Sequence, residues 1–78
     1  MKRSEEYYLK RIEKCVDKIM QGKTIKFDDI SCDTLLGMKN VSIVYLEKLW
    51  MTIGDTAFNK MNYRVATDYL FEQLDSHT

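Results

Sequence analysis

The stretch Val41–Phe58, VSIVYLEKLWMTIGDTAF, decides how the rest of the chain is read. Between Val41 and Ile53 only Glu47 and Lys48 are charged. Val41, Ile43, Val44, Tyr45, Leu46, Leu49, Trp50, Met51 and Ile53 cover nearly every direction of a helical wheel, whereas a surface helix carries one apolar stripe. The expectation is a central helix over about 41–53. Removing one large apolar side chain from water stabilises by roughly 1.5–3 kcal/mol, so this segment is expected to contribute more burial than any other. The flanking segments must enclose it, and the predicted fold is all-α: a compact bundle of four to five helices.

Upstream, Ser4 followed by Glu5 and Glu6 suits a helix start, with a hydroxyl cap and acids on the positive end of the dipole. Tyr8, Leu9, Ile12, Cys15, Val16, Ile19 and Met20 keep helical spacing to Gln21, and Gly22 fits the left-handed closing position. Lys23–Phe27, KTIKF, alternates polar and apolar over a length that allows only a brief extended segment. Asp28, Asp29, Ser31 and Asp33 each offer a cap to short helical turns over 28–36, with Ile30, Leu35 and Leu36 inward. Gly37 is expected to end that piece and Asn40 to cap the central helix. Gly54 reads as a break or kink, after which Ala57, Phe58 and Met61 turn inward. Asn62 is placed to cap a last helix with Val65, Ala66, Tyr69, Leu70 and Leu74 on one face. One domain spans 1–78, with residues 76–78 expected to fray.

Seventy-eight residues bury only about 60–65% of the unfolded surface, so such a domain is marginal unless a disulfide, a metal or a partner assists. Two cysteines, Cys15 and Cys32, do not make a disulfide framework. The opening MKRSEEYYLK has no apolar core of the kind a secretion signal carries, and no run of about 18 apolar residues occurs. Reduced thiols, a cytoplasmic location and no membrane contact are expected.

Net charge is zero but unevenly spread: residues 1–26 carry +4 and residues 27–78 carry −4. A basic front and an acidic back hint at a charged partner or self-association. Arg3, Lys10, Lys14 and Lys18, with Arg11 nearby, form a stripe on the first helix suited to phosphates or to an acidic protein face; Glu6–Lys10 pairing within a solvated face is the plainer reading.

No enzyme is expected. The three glycines are too far apart for a phosphate loop, and Cys15, Cys32 and His77 do not supply zinc-ligand spacing. Helix capping accounts for Asp28, Asp29 and Asp33. No catalytic residue, cofactor or metal site is assigned.

The order of signals over residues 10–71 resembles one helix-turn-helix half of the AraC-type transcription regulators. Ile25, Phe27 and Ile30 match its second element; Ser42, Tyr45, Leu46, Leu49 and Trp50 match its third; Gly54, Phe58, Arg64, Val65 and Leu70 follow. The resemblance implies a helical fold and a place in transcription. The segment from Ile30 to Ser42 is longer than a tight helix-turn-helix needs. Where a recognition helix offers polar and basic side chains to base edges, this chain has Ile43, Val44, Glu47 and Met51, with Lys48 alone suited. That face is read as converted to a protein-binding or core surface. Tyr8–Cys15 is also similar to the opening helix of the Hha/YmoA modulators, and Leu35–Leu46 to a degenerate helix-hairpin-helix with Asn40 and Ser42 in place of its glycines.

The functional expectation is a small non-enzymatic regulatory or interaction module acting through a protein partner in transcription or nucleic-acid metabolism. Its contact residues are Ile43, Val44, Tyr45, Trp50 and Met51, too many apolar groups for so short a chain to bury. The alternative is direct nucleic-acid binding through Arg3, Lys10, Arg11, Lys14 and Lys18, with Lys23 and Lys26 as candidate additions.

Overall fold

Ser4 opens the first helix as its neighbours predict: its backbone is extended and its hydroxyl accepts a hydrogen bond from the Tyr7 N–H at 3.3 Å. In this computed structural model, which describes residues 3–78, helix α1 runs Glu5–Met20. It ends at Gly22, which has φ 77°. There the Gly22 N–H donates to the Ile19 carbonyl (3.0 Å) and the Lys23 N–H to the Lys18 carbonyl (2.9 Å), the pair of bonds that closes a helix and reverses the chain. Residues 23–26 are irregular, and Phe27–Asp29 form one 3₁₀ turn. The expected extended piece makes no strand among the described residues.

Helix α2, Cys32–Asn40, is capped by Ser31, whose hydroxyl accepts from the Thr34 N–H at 3.2 Å. Gly37 does not end it. A Cβ at position 37 would collide with the Tyr8 ring, so this glycine lets α1 and α2 approach closely. Asn40, expected as the cap of the next helix, is the last residue of α2. Val41 alone joins it to α3, Ser42–Lys60. Gly54 (φ 82°, ψ 167°) sits in a region open almost only to glycine and divides α3 into two pieces, as its place in the sequence predicts. Helix α4, Tyr63–His77, follows Asn62, which works by a left-handed backbone (φ 63°) and makes no side-chain cap.

The result is a small bundle of four helices with α4 touching every other element. Ile12, Cys15 and Val16 of α1, Phe27 of the 3₁₀ turn, Leu35 and Met38 of α2, and Ala66, Leu70 and Leu74 of α4 form one buried cluster. Thr67 is buried among them, its hydroxyl donating to the Tyr63 carbonyl at 2.8 Å, so no donor is stranded.

Burial therefore corrects the expected centre. No residue of 41–53 is fully buried, and the only buried residue of α3 is Phe58, beyond the kink. Four residues of α4 are buried. Leu36, Met61, Val65 and Tyr69, expected inward, are exposed. The physical reason is area: α1, α2 and α4 close a core with their own stripes, leaving no second layer to cover the far side of α3.

The last residues continue α4 and lie beside the 3₁₀ turn. The His77 ring stacks on Phe27 with centroids 5.5 Å apart, its Nδ1 lies 3.6 Å from Asp28 Oδ1, and the Thr78 hydroxyl donates to the Leu74 carbonyl at 2.7 Å.

Candidate functional site

Two surfaces gather the residues singled out by the sequence. The first is the outer face of α3. Helical spacing places Ile43, Glu47, Trp50 and Met51 along one side, because residues three and four apart are neighbours. Ile43 is 61% exposed, Trp50 41% and Met51 87%. Val44 and Tyr45 are half-buried, and Tyr45 packs against the core from beneath. The five expected contact residues thus divide into three on the surface and two that support it.

Trp50 is held from below: its ring stacks on Phe58 (5.7 Å between centroids), and Phe58 stacks on Tyr63 (6.4 Å). The Arg64 guanidinium caps Phe58 at 5.4 Å, and its Nε donates to Asn59 Oδ1 at 2.7 Å. Asn59 Nδ2 donates in turn to the Asp55 carboxylate and carbonyl, both at 3.1 Å. This chain of contacts fixes the piece of α3 after Gly54 and so fixes the tilt of the Trp50 ring.

The second surface is α1, whose charges divide by side. At about 100° per residue, Glu6, Glu13 and Asp17 fall on one flank of the buried stripe and Arg11, Lys14 and Lys18 on the other. The acidic flank borders a groove of about 360 Å³ against α3, floored by Leu9, Leu49, Tyr45 and Tyr63 and also lined by Lys10 and Lys48. Burial raises the Tyr45 pKa well above its ordinary 10.0, and the charges of Asp17, Tyr63 and Glu13 add to the effect, so the phenol stays neutral.

The basic flank borders a cleft of about 320 Å³ against residues 24–30. Arg11, Lys14 and Lys18 line it, and Lys26 and Thr24 face them from the other wall. Cys15 lies at its base; burial raises the thiol pKa above the ordinary 9.0, while Arg11 and Lys18 pull it back down. The expected basic stripe is therefore not one site. Lys10 sits among the carboxylates of the opposite groove, and Arg3 lies over the Tyr7 ring at 4.8 Å. No Glu6–Lys10 ion pair forms; the ion pairs among the described residues are Lys39–Asp75 (3.2 Å) and His77–Asp28.

Thr24 was not assigned from the sequence, and Lys26 only as an outlying member of the basic set. The alternation in KTIKF holds the signal: with Ile25 and Phe27 inward, Thr24 and Lys26 share the outward side. What sequence alone does not give is the reversal at Gly22 that lays this side against α1.

Among the described residues, no three His, Cys, Asp or Glu side chains converge to hold a metal ion, and no helix is long and apolar enough to cross a membrane. The chain matches no protein-family model, no curated protein and no solved structure.

Proposed function

We propose that this chain is a small non-enzymatic regulatory module of the cytoplasm that acts by binding a protein partner, in transcription or nucleic-acid metabolism. The observation that carries it is the outer face of α3, where Ile43, Trp50 and Met51 stand in solvent within one helical stripe. Exposed apolar groups gathered on one side of a small domain are typical of interaction surfaces, and tryptophan is enriched among the residues that dominate binding energy. Glu47 and Lys48 add a charge of each sign, which fits a partner helix with an apolar stripe and charged edges. The likeness to an AraC-type half supplies the transcriptional setting, with the reading helix turned to protein contact.

The test is a comparison of the native chain with an Ile43→Asp/Met51→Asp variant, both verified as folded by circular dichroism. Sedimentation velocity reports self-association; co-purification from the native host reports other partners. A complex formed by the native chain and lost in the variant supports the reading. A complex formed equally by both, or Trp50 emission that no partner shields from acrylamide, overturns it.

A second reading, direct binding of nucleic acid, is supported by one specific observation: Arg11, Lys14 and Lys18 converge on a single cleft with Lys26.

A further inference from the structure

We infer that the cleft between α1 and residues 24–30 is a phosphate-binding site that anchors the backbone of a nucleic-acid strand. The inference rests on the nucleic-acid reading above and goes further in naming the anchor, in setting Lys26 opposite the α1 bases and in adding Thr24. Four cations line the cleft against a single carboxylate, Asp29. None of the four forms an ion pair among the described residues. Ile25, Ile30 and Cys15 supply apolar walls. Such walls concentrate the field of the cations on whatever enters. Arg11 and Lys18 lie one helical turn to either side of Cys15, so their side chains flank it on the same face of α1.

The segment that forms the far wall also carries neutral donors. The backbone N–H groups of Thr24, Ile25 and Lys26 donate to no backbone carbonyl among the described residues. Phosphate oxygens take hydrogen bonds from backbone N–H and hydroxyl groups as well as from Lys and Arg. The donors of this cleft are thus of the right kinds and all of one polarity.

Two features favour a strand over an isolated phosphate. From Arg11 to Lys18 the helix rises roughly 10 Å, about three 3.4 Å steps of duplex axis and longer than one phosphate group, so the cations form a row. The acidic flank at Glu6, Glu13 and Asp17 repels phosphate from the other side of α1 and leaves one track. No aromatic ring lines the cleft, so bases have nothing to stack on and the contact is to backbone, independent of sequence.

The experiment is fluorescence anisotropy of a labelled mixed-sequence single strand and its duplex, titrated with protein at 50 and 150 mM salt (chosen as about the lower range where phosphate contacts dominate). Two variants remove the same charge: Lys18→Ala/Lys26→Ala in the cleft and Arg3→Ala/Lys10→Ala outside it. The cleft variant is expected to lose roughly 30- to 100-fold in affinity and to flatten the logarithmic salt slope by about 1.4–1.8. The outer variant is expected to lose less than about threefold. Equal losses in the two variants overturn the cleft while leaving nucleic-acid binding standing. Absence of binding by the native chain at 50 mM salt (about the condition most favourable to it) overturns both. A labelled polyglutamate bound as tightly as the strand, with the same variant pattern, overturns phosphate recognition.

Discussion

Helices α3 and α4 carry opposite balances of composition and burial. The first piece of α3 has eight apolar side chains between Ser42 and Ile53 and only two charges, yet none of its residues is fully buried. Helix α4 carries Arg64, Asp68, Glu72 and Asp75 and buries Ala66, Thr67, Leu70 and Leu74. What separates them is the order of the apolar groups. In α4 the buried Ala66, Thr67, Leu70 and Leu74 recur at three- and four-residue steps with Arg64, Asp68 and Glu72 on the opposite side, while Val65 and Tyr69 fall outside that face and stay exposed. In α3 the apolar groups are spread around the wheel, and only part of the wheel has anything to rest against. In this 78-residue chain the face that neighbouring helices cover settles which helix is central, and total hydrophobicity does not.

The sharpest way to break this contrast is to cut α4. Leu70→Ala removes a side chain with no solvent exposure, and truncations of this kind cost about 2–5 kcal/mol. Chemical denaturation should report a loss in that range. A Leu70→Ala protein as stable as Leu49→Ala would show that α4 is not the centre.

Gly54→Ala is next in size. Nothing stands within 4 Å of the added methyl, so the cost is that of the backbone alone, about 1–3 kcal/mol. Loss of the Trp50–Phe58 stacking, read by near-ultraviolet circular dichroism, should accompany the loss of stability.

Alkaline pH tests the supporting residues. Cys15 and Tyr45 both have folded pKa values above their ordinary 9.0 and 10.0, chiefly through burial. The unfolded chain therefore releases protons that the folded chain keeps, and stability, full below about pH 9, falls as pH rises further. Tyr45→Phe should flatten the upper part of that fall. An unchanged profile would mean that the Tyr45 hydroxyl is solvated.

The smallest effect is expected at Met51. Met51→Ala should change stability by less than about 0.5 kcal/mol, as surface substitutions do. It should nevertheless weaken partner binding. A loss above 1 kcal/mol (about the scale of a buried contact) would show the side chain to be part of the core.

Much of the fold was legible in local signals that need no tertiary knowledge. The Ser4 cap, the stripe of α1, the left-handed Gly22 and the break at Gly54 stand where those signals place them. The errors share a cause, which is that long-range contact overrode a local cue. Gly37 read as a helix end because glycine usually is one, but the Tyr8 ring from another helix fills the space beside it. At the candidate surfaces, Ile43, Trp50 and Met51 were legible by residue type. The partition of the α1 bases was not, since it depends on which neighbour packs against each flank.

The meeting of Gly37 with Tyr8 also bears on how such a sequence can change over time. Neither position is free alone: a side chain gained at 37 meets an aromatic ring, and loss of that ring uncovers a gap between two helices. Viable drift passes through both together, a bulkier residue at 37 arriving with a smaller one at 8. Descendants of this chain should therefore show the two positions varying as a pair, twenty-nine residues apart in sequence and adjacent in space.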